Sequence, residues 1–395
     1  MSIDLSRLTS FLQDLVRIRT LSGEEKPGVD RAAEEMRSLG FDHVQTDKYG
    51  NAIGVIKGAK RGPTILFDAH MDTVPVSPGS HWKYKPFGAE IDEGRIYGRG
   101  TADMKGALAA MIYAAAAVDR STLEGRVVVS ASVMEEVIEG FLLTEIVRMY
   151  QPDYVVIGEA SDLNLVHAGR GRAEIQLEAL GRPTHSSTPH LGENAIINML
   201  RAIEAIEQLP ERNDPLLGPA TMGLTDIISD PYPGHSVIPS RCLATYDRRV
   251  LLGESDLAII YRLKDLPGLE SVGVTISQRK YTTYTGAEMN PFKFFPAWKL
   301  EPDDPYVEKA LEGLRAAGLD PTLSTYRFNT NATYTAGIKR IPTVGFGPAT
   351  EARAHMVDEY IEIEELEKAA QGYLGIINAV LKDTWKIDSK WGWGR

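Results

Sequence analysis

Five places in this 395-residue chain carry side chains able to bind cations or move protons: His70 with Asp72, Asp103, the pair Glu135 and Glu136, Glu159, and His355. The first pair closes the apolar run "TILFDAHMDTVPV" at residues 64–76. Strand side chains alternate faces, so His70 and Asp72 point the same way. Gathering this many carboxylates in one buried place costs several kcal/mol per ion unless cations accompany them. Two divalent ions resolve the imbalance: three ligating carboxylates and one hydroxide balance their charge, and neutral imidazoles complete each set. Oxygen and nitrogen donors without sulfur suit zinc, cobalt or manganese, with zinc the first choice.

The elements that must position these residues follow from periodicity. Helical spacing in "LSRLTSFLQDLVRI" and "GVDRAAEEMRSLG" precedes the apolar strands "NAIGVIKG", "TILFDAH", "RVVVSASVM" and "DYVVIGEAS". An alanine-rich helix, "MKGALAAMIYAAAAVD", is expected to carry Asp103 at its N-terminus. This alternation predicts an α/β fold, a mixed, mostly parallel sheet with helices on both faces. In such a sheet the strand ends gather at one edge, where ligands bind. His70, Asp103, the glutamate pair and Glu159 all fall at a strand end or just before the next helix.

The character changes near Ala168. Strand "RGRAEIQLEALG", helix "ENAIINMLRAIEAIEQL", strands "TMGLTDIIS" and "RCLATYDRRV", helix "ESDLAIIYRLKDL" and strand "VGVTISQ" make the split pattern of a ferredoxin-like α+β domain with a four-stranded antiparallel sheet. The predicted division is therefore a catalytic segment at 1–168, an inserted domain at 169–282, and a second catalytic segment at 283–395. The Trp-rich last eleven residues, "WKIDSKWGWGR", receive no role.

Composition narrows the partners. A net charge of −11 without any basic stripe argues against nucleic acid or an anionic membrane. The opening "MSIDLSRLTSFLQDLV" lacks a basic segment followed by an apolar core, and no run of 18 apolar residues occurs, so a cytoplasmic chain is expected. A lone Cys242 builds neither a disulfide nor a thiolate metal site. There is no GxSxG elbow, no GxxxxGK loop and no HExxH, and "GRGTADMKG" puts Asp103 where a dinucleotide fingerprint wants its third glycine.

The stretches "AHMDTVPV", "PFGAEIDEGRIYGRGTADMKGALAA", "SVMEEVIEG", "IGEAS", "GRPTHSSTPHLGENAI" and "IPTVGFGPATEARAHMVDEYI" resemble, in order, those of the M20 metallopeptidase and amidohydrolase family, the acetylornithine deacetylase and succinyl-diaminopimelate desuccinylase type. Two more, "MNPFKFFPAW" and "FNTNATYTAG", resemble its selenium-metabolism-linked hydrolase subgroup. The resemblance implies a catalytic α/β domain with an inserted lid that dimerises. It also implies that Asp103 bridges two metals, that His70 and Glu159 complete one site, and that Glu136 and His355 complete the other. Asp72 would orient His70, and Glu135 would be the general base. His185 of "THSSTP" would stabilise the oxyanion, often in the partner subunit's site.

Arg249, Arg170 and Asn331 are the candidates for binding substrate, the arginines through a carboxylate. The function expected is deacylation of an N-acyl amino acid or related small amide. A dipeptidase or carboxypeptidase with the same machinery, or an inactive dimeric binding protein of this fold, are the alternatives.

Overall fold

The computed structural model describes residues 3–210 and 212–382; the Trp-rich segment lies outside them. Helices α1 (Leu5–Arg17) and α2 (Lys26–Ser38) come first. The Asp4 carboxylate starts α1 by accepting the Arg7 N–H, and Leu8, Leu12 and Leu15 line its buried side. Strands β1 (His43–Thr46), β2 (Ala52–Lys57) and β3 (Lys60–His70) follow, then α3 (Gly106–Ala116) and β4 (Glu124–Ser132). A helical turn α4 (Glu135–Ile138) and helix α5 (Leu143–Tyr150) lead to β5 (Tyr154–Ile157) and β6 (Leu165–Gly169).

The chain then builds a separate sheet from β7 (Gly171–Leu180), α6 (Ala195–Glu207), β8 (Met222–Asp230), β9 (Arg241–Val250), α7 (Asp256–Lys264), β10 (Val272–Ile276) and β11 (Phe294–Phe295). It returns through β12 (Trp298–Lys299), α8 (Pro305–Ala316), β13 (Leu323–Tyr326), β14 (Thr343–Gly345) and the closing helix α9 (Ile363–Leu381).

The large sheet has nine strands in the order β1-β2-β4-β3-β5-β14-β6-β12, with β13 also paired to β6. Its centre, β4-β3-β5-β14, is parallel, and the pairings β1-β2, β2-β4, β14-β6 and β6-β12 are antiparallel. Ile65, Phe67, Val127 and Val129 pack with α1, α3 and α9 on one face. Leu66, Val128 and Val155 pack with Leu143 and Ile146 of α5 on the other. Both faces are covered, which is why these strands read as continuous apolar runs.

The second sheet runs β8-β9-β7-β10, antiparallel throughout, with α6 and α7 supplying Met199, Ala202, Ile259 and Leu263 to its core. It gains a fifth strand that the sequence pattern did not show, because β11 is only two residues long and continues the β7 edge past the end of β10. The joint between the sheets lies at Gly171, where a Cβ would sit 2.1 Å from the Phe295 carbonyl oxygen, so the close crossing demands glycine. Among the described residues no helix is long and apolar enough to cross a membrane.

Candidate metal and catalytic site

Because β3, β4 and β5 are parallel, their C-terminal ends share one edge of the sheet. His70 ends β3, Glu135 and Glu136 begin the turn after β4, and Glu159 follows β5 by two residues. Met134 takes a left-handed backbone (φ 57°) that turns the chain from β4 into α4. Asp103 is not a helix cap: it lies three residues before Gly106, in an irregular turn with φ −130° and ψ 95°. That turn is held by Glu359, whose Oε1 accepts the N–H of Ala102 (2.9 Å) and of Asp103 (3.2 Å), while Oε2 accepts from Arg99. His355 arrives from far along the chain, also left-handed (φ 61°).

The side chains converge on Asp103. Its Oδ1 is 3.0 Å from His70 Nε2 and its Oδ2 is 3.1 Å from His355 Nε2. Glu159 Oε1 lies 3.7 Å from His70 Nε2, and Glu136 Oε1 lies 3.1 Å from His355 Nε2. Two donor groups result, His70–Asp103–Glu159 and Asp103–Glu136–His355, each with its ligand atoms within 4.8 Å of one another. His70 Nδ1 donates to the Asp72 carbonyl oxygen at 2.9 Å, which leaves Nε2 as the ring atom facing the cluster and the one whose lone pair a cation would take in place of a proton. Glu135 reaches to 3.9 Å from His70 Nε2, and its Oε1 is buried without a hydrogen-bond partner.

The electrostatics say what is wanted there. Burial pushes Glu135, Glu136 and Glu159 above the usual carboxylate pKa, and neighbouring carboxylates add to it, Asp103 for Glu136 and Glu159 and Glu159 for Glu135. Burial opposes charge on His70, yet donation to Asp103 and the charges of Glu159 and Glu135 hold its pKa well above the imidazole value. His355 rises to about 10 through its hydrogen bonds to Asp103 and Glu136. Asp103 moves the other way: burial resists, but His355 and His70 keep it ionised. Carboxylates driven to protonate and imidazoles driven to charge mark a cluster short of positive charge, and the oxygen and nitrogen donors fit divalent cations.

Beside the cluster is a cavity of about 260 Å³, walled by Val74, Glu139, Arg172, Asp247, Arg249, Phe328 and Asn329 together with the cluster residues Asp103, Glu135, Glu136, Glu159 and His355. Arg249 is among its walls, 3.3 Å from Asp247. Arg170 is not: its Nε and Nη2 donate to the Leu217 carbonyl oxygen at 2.8 and 2.6 Å, so the expectation for that residue is corrected.

Arg172 takes the place instead, paired with Glu139 at 2.5 Å and Asp247 at 2.6 Å. It faces Arg249 in the β7–β9 register, a signal available once β7 and β9 are paired. Asn331 is likewise corrected. Its Nδ2 donates to Asp68 (2.8 Å) and Ser132 (3.2 Å) and its Oδ1 accepts the Gly140 N–H, so every polar atom is spent inside the protein. His185 is exposed, hydrogen bonded to Ser187 at 2.7 Å, and does not line the cavity of its own chain.

A cluster of carboxylates and two histidines at the carboxyl edge of a parallel sheet, with a small cavity alongside, defines a metal-binding hydrolase. Residues 66–379 match the model of peptidase family M20/M25/M40. The chain belongs to this family and is a hydrolase of amide bonds. It is 33% identical over 382 residues to the uncharacterized protein YgeY of Escherichia coli (strain K12), across 93% of each chain. It is 28% identical over 399 residues to a succinyl-diaminopimelate desuccinylase of Methylobacterium radiotolerans, across 93% of this chain and 95% of that one. The crystal structure of aminopeptidase PepT from Bacillus cereus shares the fold, with a TM-score of 0.72 at 23% identity over 96% of this chain and 99% of that one.

Proposed function

We propose that this chain deacylates an N-acyl amino acid or a related small amide bearing a carboxylate, using two divalent ions, zinc first and cobalt or manganese next. The observation that carries the reading is the split of Asp103, one oxygen toward His70 and the other toward His355. His70, Asp103 and Glu159 would hold one ion and Asp103, Glu136 and His355 the other. Bound there, divalent ions polarise an amide carbonyl and acidify water. Glu135, whose buried Oε1 has no partner, takes the proton of the attacking water and delivers it to the leaving amine. Arg249 at the cavity wall pairs with the substrate carboxylate.

Deacylation is favoured over dipeptide cleavage by the state of Glu139 and Asp247. Both Asp247 oxygens are paired with arginines, and Glu139 Oε1 is paired with Arg172. Beyond the cluster, a substrate ammonium, which needs several acceptors, therefore finds only a single carboxylate oxygen without a partner among the described cavity walls, Glu139 Oε2. Residues 169–282 act in this reading as a lid that also dimerises, in a cytoplasmic enzyme. The support is strand β8, a sheet edge that exposes Leu224, Ile227 and Ile228, with Ile197 and Leu200 exposed on α6. A partner subunit docked there would bring the otherwise distant His185 to the oxyanion. The test is a metal-loaded panel of N-acetyl and N-succinyl amino acids beside free dipeptides. Turnover of the acyl compounds alone is expected, and turnover of dipeptides alone would overturn the reading.

A further inference from the structure

Asn329 follows strand β13 and forms part of the cavity wall, next to Phe328. It is 6% exposed, and neither its Oδ1 nor its Nδ2 has a hydrogen-bond partner. A buried amide left unsatisfied at both ends destabilises the fold, and leucine, nearly its size, would avoid that cost. Such a residue is retained where something arriving from outside completes its hydrogen bonds.

The other walls cannot do what Asn329 can. Outside the cluster, Arg172 and Arg249 only donate, and Glu139 and Asp247, paired with Arg172, only accept. Among the described residues lining the cavity, Asn329 is the one carboxamide, offering a donor and an acceptor side by side. Its match is a neutral group that also carries both, such as an amide or ureido group; a carboxylate or an alkyl chain satisfies at most half of it. Glu139 Oε2, in the same cavity, is a second polar atom without a partner and would accept from an N–H of such a group.

We infer that Asn329 is a specificity-determining residue that binds a neutral amide-type group of the substrate, distinct from the carboxylate held by arginine. The inference rests on the amide-hydrolase reading. It adds that the preferred substrate carries a donor-acceptor group in its acyl part or in its side chain.

Two matched pairs of substrates separate those sources: N-carbamoyl against N-acetyl forms of one amino acid, and N-acetylglutamine against N-acetylmethionine. In the wild-type enzyme one pair should differ about 10-fold or more in kcat/KM in favour of the amide-bearing member. In Asn329→Leu that preference should fall to within about 3-fold, with the amide-bearing member losing the activity. Asn329→Ala should do the same, which guards against a clash from leucine. Unchanged ratios in both variants would overturn the inference while leaving the amide-hydrolase reading intact. Should the wild type turn over no acyl compound, that reading fails by itself and Asn329 is judged on melting temperature. Asn329→Leu is then expected to melt no lower than wild type, and a clear drop would show that the amide is structural and overturn the inference.

Discussion

The carboxylate of Asp72 holds the backbone of Glu135: its Oδ1 accepts the Glu135 N–H at 3.0 Å, while Oδ2 accepts the Glu136 N–H at 3.2 Å and the Ser22 hydroxyl at 2.7 Å. The His70 ring is further away, 3.6 Å from Nδ1 to Oδ1, and is oriented by the Asp72 carbonyl oxygen instead. One residue thus fixes His70 with its backbone and the two glutamates with its side chain.

Asp72→Ala should therefore act through the glutamate turn. Removing such a support around a metal centre lowers activity or metal affinity by about 10- to 100-fold. The fall is expected in kcat, with KM for an acyl substrate nearly unchanged. A variant with full kcat would show that the Glu135–Glu136 turn holds without it.

Glu135 and Glu136 are neighbours with different tasks, and substitution should separate them. Glu135→Gln is expected to lose about 10²- to 10⁴-fold in kcat while keeping its metal content, since general-base catalysis contributes that much. Glu136→Ala should instead lose metal from the His355 side, because Glu136 is in that donor group and Glu135 is in neither. Elemental analysis of both purified variants decides; equal metal loss would contradict the division of labour.

The strand ends were legible in the sequence because an apolar strand that stops at a polar residue is a local signal, and His70, Glu135 and Glu159 each follow one. Arg172, Glu139, Asp247 and Asn329 were not, because each matters only through a contact across elements. Arg170 and Arg172 stand two apart in "AGRGRAEI", and only the joint at Gly171 and the Leu217 carbonyl decide which one enters the cavity. Glu25 and Glu359 carry no local signal in the sequence, yet both are buried against the backbone of site turns, at Met134 and at Asp103. The sheet edges were missed for a different reason: β12 is two residues long, and β13 pairs with β6 far away in sequence.

Glu25 makes stability depend on pH. Its Oε1 accepts the N–H groups of Gly23 (2.9 Å) and Met134 (3.0 Å), while Oε2 is buried without a partner. Burial, and after it the charge of Asp72, raises its pKa from 4.5 to about 7. A carboxyl raised on folding contributes stability below its unfolded pKa and loses it as pH climbs through the folded value. The loss is roughly 3 kcal/mol across that window. Glu25→Gln can still accept both N–H groups but does not titrate. Its melting temperature should rise relative to wild type between pH 5 and pH 8; a constant difference would mean that Glu25 is ionised in the fold throughout.

Chelation should destabilise the fold as well as stop turnover. An ion that binds only the folded chain adds about 4 kcal/mol when it is present at a thousand times its dissociation constant. Treatment with a chelator should lower the melting temperature by several degrees, and zinc should restore it. In the double variant His70→Ala, His355→Ala the chelator should have no effect. A melting temperature indifferent to chelator in the wild type would argue against divalent ions at this cluster.

His185 offers the sharpest test of assembly, because it is exposed and absent from the cavity of its own chain. If it acts on the partner subunit's site, Glu135→Ala and His185→Ala homodimers are each inactive, but their mixture is not. In a mixed dimer, one site has its own Glu135 and receives an intact His185 from the other chain. With free exchange half of the dimers are mixed and half of their sites are restored, so about a quarter of wild-type activity should return. Cooperation within one chain predicts no recovery at any mixing ratio. An Ile227→Asp substitution on the exposed edge of β8 should abolish the recovery by preventing the subunits from pairing, since a charge on that apolar edge opposes docking.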